Sequence, residues 1–222
     1  MFWYFGTPYS IVDLSQLRAK LDATRLRQVK IALIDDEPFP YLETLRRHDF
    51  IIKQLSDITD VHAVESYDVV MCDIRGVGKH FQSPLEGAHV IMEIRKFYPW
   101  KTLLAYSGQQ FDPSFNKAFA ACDFMMRKDT DSDEWIETLD RAAAIALDPA
   151  ERWKRVRNVL IERHVPLITI VELEHSYVGS VLNHKAWHPK SAVTSKLPED
   201  ARAVVNNLVS SSIFTLASAV LA

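Results

Sequence analysis

The sequence predicts a doubly wound α/β fold, a five-stranded parallel sheet followed by an α-helical C-terminal segment. Three observations predict it. Short apolar runs, of the kind that form strands buried on both faces, recur five times between residues 29 and 128. Stretches with helical spacing of apolar residues lie between them. The strict alternation of the two over roughly 120 residues is the pattern of parallel strands joined by crossover helices.

Each element follows in order. Leu14, Leu17, Leu21 and Leu26 stand among charges over 13–28, an amphipathic helix within an N-terminal extension at 1–28. Val29 to Ile34 is the first strand and ends in Asp35-Asp36-Glu37-Pro38. Residues 41–50 have a helical period, and a second strand follows from Phe50 to Leu55. A weak helix near 58–65 leads to a third strand, Tyr67 to Asp73, and then a long loop over 75–86. From Gly87 to Tyr98 a helix places Val90, Ile91, Ile94 and Phe97 on one side. Thr102 to Ser107 is the fourth strand, Pro113 to Ala121 a helix, and Asp123 to Lys128 the fifth strand. Asp131-Ser-Asp-Glu134 has the form of a capping box opening a helix that runs to about Leu147.

Composition bounds the function. With 48% hydrophobic and 25% charged residues over 222 positions, the chain belongs with globular proteins rather than disordered or fibrous ones. The net charge of −3 offers no global attraction to nucleic acid or anionic lipid. That average conceals a split: residues 1–148 hold 17 Lys/Arg against 23 Asp/Glu, and residues 149–222 hold nine against six. Two cysteines, Cys72 and Cys122, make no disulfide framework and suit a reducing, cytoplasmic compartment as buried structural thiols. The first ten residues lack the basic and long apolar regions of a secretory signal. The apolar stretch at 210–222 is shorter than the ~20 residues a membrane span requires, so a packed terminal helix is expected and no membrane partner.

In doubly wound sheets the ligand site lies beyond the carboxyl ends of the strands. Those ends carry Asp35 and Asp36, Asp73, Ser107 and Lys128. Clustered carboxylates repel and raise one another's pKa, which a hard divalent cation with oxygen ligands such as Mg²⁺ relieves. A lysine and a hydroxyl beside that cation suit a transferred phosphoryl group, with a carboxylate as nucleophile.

An acidic pair after the first strand, Asp in "MCDIRG", Ser in "AYSG" and Lys in "MRKD" together resemble the receiver domain of two-component response regulators, over residues 29–148. The resemblance implies a flavodoxin-like receiver fold with Asp73 as phosphoacceptor. It implies Mg²⁺ held by Asp35, Asp36, Asp73 and the backbone carbonyl of Arg75. Ser107 would follow the phosphoryl group, and Lys128 would be its counter-ion. The implied partner is a sensor histidine kinase or phosphotransfer protein, and the implied chemistry is limited to the protein's own phosphorylation and dephosphorylation. The sequence departs from the family pattern at Asp129, where proline usually stands, at Met125 in the aromatic switch position, and in the longer loop 76–86. Arg75 and Gln109 flank the path of the attacking water by the same resemblance, and their length implies slow self-hydrolysis.

Other candidates carry less. Gly76-Val-Gly-Lys-His80 lacks the first glycine and the Ser/Thr of a phosphate-binding loop. His184 and His188 have i, i+4 spacing but no third ligand, and Glu174-His175 is an ordinary exposed acid–histidine pair. In the last third, Pro149 and the basic run at 151–157 mark a boundary. Helices are expected at 150–163, where the fifth receiver helix could continue, and at 167–182, where the β-branched start also allows a strand. A loop at 188–197 and a helix from Pro198 onward follow. About 70 residues with apolar helical faces need something to pack against, whether the α/β part, a second copy or a partner, and 149–222 is expected to form a homodimer or bind a helical partner. DNA is not expected as a partner, because the sequence shows no basic recognition helix. The expectation is therefore a phosphorylation-dependent response regulator, the alternatives being a phosphorylation-independent receiver-like scaffold or a DNA-binding regulator with an atypical output module.

Overall fold

The structure, a computed structural model, describes residues 9–14, 22–108 and 113–211. The chain forms two compact units, one spanning 22–147 and the other joining the N-terminal segment to the chain from Asp148 onward. The expected extension at 1–28 is thereby divided, with 22–28 in the first unit and 9–14 in the second.

The first unit is a five-stranded parallel sheet of β1 (Lys30–Ile34), β2 (Ile51–Leu55), β3 (Val69–Asp73), β4 (Thr102–Ser107) and β5 (Phe124–Arg127) in the order 2-1-3-4-5. That is the flavodoxin-like order, with a switch point between β1 and β3. β3 is buried along its whole length and β1 from its second residue on, as strands covered on both faces must be. The helical crossovers are α2 (Leu42–Arg47), α3 (Gly87–Phe97) and α4 (Asn116–Ala121), while α1 (Ala23–Leu26) precedes β1 and α5 (Ser132–Leu147) follows β5.

Several expectations are refined. The predicted helix at 13–28 is represented by a 3-10 turn at Ile11–Leu14 and by α1, with 15–21 outside the described residues. The weak helix near 58–65 is a 3-10 turn at Val61–Val64, opened by the Asp60 side chain accepting from His62 N–H at 2.8 Å. Asp131 caps α5 as predicted, its Oδ1 accepting from the N–H groups of Asp133 and Glu134 at 3.0 Å each. The possible continuation of α5 does not occur. Asp148 leaves the helical region and accepts from Ala150 and Glu151 N–H, starting a new helix with Pro149 in its first turn.

The second unit comprises α6 (Pro149–Glu162), α7 (Leu167–Leu182), α8 (Ser191–Thr194) and α9 (Glu199–Ser210). Residues 167–182 form a helix rather than a strand, and the expected loop at 188–197 contains α8. Its core is aromatic. Trp153 stacks on Tyr177 at 5.1 Å between ring centroids, and Trp187 meets both edge-on. The polar tips are satisfied: Trp153 donates to Glu174, Tyr177 to the Pro149 carbonyl and Trp187 to Ser176. Glu174 also accepts from Ile11 N–H, so the acid of the Glu174-His175 pair serves as a structural tie to segment 9–14. Residues 212–222, with the expected terminal helix, lie outside the described residues. Among the described residues no helix is long and apolar enough to cross a membrane.

Candidate functional site

Parallel strands that stop together deliver their last residues to one rim. Asp35 follows β1, Asp73 ends β3, Ser107 ends β4 and Lys128 follows β5. Lys128 Nζ lies 3.1 Å from Asp35 Oδ2 and 3.0 Å from Asp73 Oδ2, so one ammonium bridges the two strand-end acids. The Lys128 backbone N–H donates to the Ser107 carbonyl at 2.9 Å, fixing β5's end to β4's.

Asp35 is fully buried, and its carboxylate is fully engaged. Besides Lys128, it accepts from Tyr106 Oη at 2.8 Å and from the Glu37 N–H at 2.9 Å. Burial, reinforced by Asp35, pushes the Tyr106 hydroxyl far above its ordinary pKa, so it stays a donor. Asp73 accepts from the Arg75 N–H at 3.1 Å. Burial raises its pKa even against Lys128 and that N–H, which lower it. For Lys128, burial opposes the charge but the hydrogen bonds to Asp73 and Asp35 prevail and raise its pKa. The chemical result is an ionised lysine beside a buried strand-end carboxylate whose protonated form burial favours.

Asp36 takes a different course. Its carboxylate lies against the Cα of Gly76, where a Cβ would sit 2.4 Å from Oδ1, and Oδ2 accepts from Lys79 Nζ at 2.9 Å. Gly76 and Gly78 adopt φ of +77° and +78°, which the loop needs to fold back over the acids. Asp57 fixes this loop by accepting from Gly78 N–H at 2.7 Å and Lys79 N–H at 3.2 Å, and Glu86 by accepting from Gly76 N–H at 2.6 Å. The glycine–lysine stretch that lacks a phosphate-loop pattern thus delivers a second ammonium to the acids.

The structure therefore brings Asp35, Asp73 and Lys128 into contact. It places Ser107 on the same rim and turns Asp36 to Lys79. Arg75 directs its guanidinium over the Phe115 ring at 4.5 Å, and Gln109 lies outside the described residues. Met125 is exposed on β5, and Asp129 pairs with Arg127. Cys72 is buried and Cys122 half-buried, burial holding both thiols protonated. α7 ends at Leu182 with Asn183 as its cap, so His184 at φ +53° and His188 both lie beyond it and do not share a helical face.

No group of three or more His, Cys, Asp or Glu among the described residues is arranged to hold a metal ion. The donor set is nonetheless all oxygen, the chemistry a hard divalent cation takes. Sequence reasoning missed Tyr106, Lys79, Asp57 and Glu86. A tyrosine one residue before a strand end was the available signal for Tyr106, since a buried phenol needs a polar partner.

The strand order decides the fold. The α/β unit has the flavodoxin-like fold. Solved structures that resemble this chain include the BeF3-activated receiver domain of RstA from Klebsiella pneumoniae, 19% identical, covering 51% of this chain and 97% of that one at a TM-score of 0.43. A response regulator from Thermotoga maritima is 15% identical, with 52% and 98% covered at 0.44. A CheY-like receiver domain protein from Methanospirillum hungatei is 12% identical, with 53% and 95% covered at 0.43. No protein-family model matches the sequence, and no curated protein matches it.

Proposed function

We propose that the protein is a response regulator that accepts a phosphoryl group on Asp73 from the phosphohistidine of a sensor kinase or phosphotransfer protein. The observation that carries this reading is the Lys128 ammonium 3.0 Å from Asp73 and 3.1 Å from Asp35 at the convergent strand ends. An Asp73 oxygen attacks phosphorus in line, the P–N bond breaks, and the bonding pair returns to the imidazole, which takes up a proton. Lys128 then faces the new phosphoryl oxygens and offsets part of their charge. Ser107, on the same rim, is the hydroxyl donor for them. Asp35 orients Lys128 and is itself held by Tyr106.

Mg²⁺ fits the all-oxygen donor set, and Asp36, Asp73 and the Arg75 carbonyl would hold it with Asp35 behind them. When bound, it supplies charge neutralisation at the transferring phosphoryl group. Lys79 must then give up Asp36. Phosphorylation would alter contacts made by the helical unit with a second copy or a helical partner, and Leu167, Ile168 and Val171, large apolar side chains exposed on α7, support such a surface.

One observation favours a second reading, a receiver-like scaffold independent of phosphorylation: Lys79 and Lys128 already neutralise the acids. Acetyl phosphate with Mg²⁺, followed by intact-mass measurement, separates the two. The expected result is one phosphoryl adduct on the native chain and none on Asp73→Ala. Absence of any adduct, with no change in oligomeric state in beryllium fluoride, would leave the scaffold as the function.

A further inference from the structure

The helical unit contains a cavity of about 510 Å³ between α7 and α8, within the roughly 300–1,000 Å³ that small-molecule sites occupy. We propose that it binds a small aromatic phosphate of the nucleotide class.

Lys185, Lys190 and Lys196 line the cavity, against a single acid, Glu172. Three other cations of this unit are paired with carboxylates: Lys154 with Glu151 at 2.6 Å, Arg163 with Asp200 at 3.1 Å and Arg157 with Glu174 at 3.6 Å. None of the three cavity lysines has a carboxylate partner among the described residues, Glu172 included. Three like charges brought around one concavity repel, and a multiply charged phosphate is the ligand that relieves them. Lysine ammonium groups bind phosphate as point charges without demanding a fixed fork geometry.

The cavity also has a fixed aromatic wall. Tyr9 lines the same cavity with 43% of its surface exposed. Its position is built rather than incidental. Its backbone N–H donates to His175 Nδ1 at 2.8 Å, and its ring stacks on the imidazole at 5.3 Å and 19°. A Cβ on Gly179 would sit 3.1 Å from the Tyr9 ring, so the missing side chain is what lets the ring lie along α7. A rigid aromatic face beside ammonium groups is the arrangement that holds a planar base and its phosphates together.

Isothermal titration of the full chain with ADP, adenosine and pyrophosphate as separate probes tests the site. EDTA is included, so that the acidic rim of the other unit takes no part. ADP is expected to bind at one site per chain, at least about tenfold more tightly than adenosine or pyrophosphate, because only ADP uses both walls. Lys190→Glu with Lys196→Glu should weaken ADP by about tenfold or more through charge reversal. Both side chains are exposed, so the melting temperature should hold. Tyr9→Ala should weaken ADP and adenosine while leaving pyrophosphate unchanged, and Asp73→Ala should leave all three unchanged. No ADP binding at millimolar concentration, affinity indifferent to the lysine reversal, or pyrophosphate binding as tightly as ADP would each overturn the proposal.

Discussion

Tyr106 and Lys79 each donate to a carboxylate of the acidic rim, but their surroundings give the two bonds different weight. The Tyr106 hydroxyl meets Asp35 where neither is reached by water, and its loss leaves a buried charge with one donor fewer. Tyr106→Phe should therefore cost about 1–3 kcal/mol in urea unfolding, the range for an orphaned buried polar group. Lys79 is exposed along most of its length, and solvent screens its pairing with Asp36. Lys79→Met should leave the urea midpoint unchanged. A comparable loss in both variants would contradict this contrast. Asp73 supplies a pH test. Its pKa in the fold lies above the ordinary 3.8 because of burial, so the fold favours its protonated form. That contribution is present at low pH and is lost as pH rises through the raised value. Asp73→Asn should be more stable than the native chain at neutral pH, the gap closing as pH falls below the raised value towards 3.8. Urea midpoints of the two proteins across that interval decide it, and a gap that widens on acidification would refute the assignment of burial as the cause.

Among the elements, the junction of β3 with α3 has the least tolerance. A Cβ on Gly87 would lie 1.9 Å from the Asp73 carbonyl oxygen and 2.8 Å from Val77 Cγ2, so α3 starts directly on the backbone that presents Asp73. Gly87→Ala should cost at least the 1–3 kcal/mol typical of overpacking and should also lower phosphoryl acceptance, because the nearest structure able to shift is the end of β3. Thermal melting and the intact-mass assay, run on the same sample, check both. This junction also shows what the sequence could reveal. The five strands were legible because β1, β3 and most of β4 are apolar without alternation, and the rim was legible because parallel strands end together. The sequence placed Asp36 beside Asp35 as an equal ligand. The structure separates them, because Asp57 pins the backbone of Gly78 and Lys79 from a distance of some twenty residues, and no local pattern encodes that bond. Residues 167–182 stayed ambiguous between helix and strand for a similar reason. The β-branched start favours a strand locally, whereas the positions that pack, Ile170, Leu173, Tyr177 and Val181, recur at helical spacing.

At the scale of the whole molecule, the composition split acquires a structural counterpart. The acidic part of the chain is largely the α/β unit, and the mildly basic part is the unit that carries the lysine-lined cavity. The boundary at Asp148 is local chemistry, a cap followed by proline. Residues 22–147 contain all five strands, the Asp35–Lys128–Asp73 contacts, the Tyr106 bond that supports them and the Arg27–Asp140 ion pair between residues on either side of the sheet sequence. At about 125 residues, such a unit is long enough to bury its own core. Expressed alone, residues 22–147 should unfold in one cooperative urea transition and take up a phosphoryl group from acetyl phosphate at Asp73. It should show none of the ADP affinity of the full chain, since Tyr9 and the three lysines are missing. A fragment without a cooperative transition would mean that the sheet depends on the helical unit for its stability, and a fragment that folds but still binds ADP would move the nucleotide site to the α/β unit.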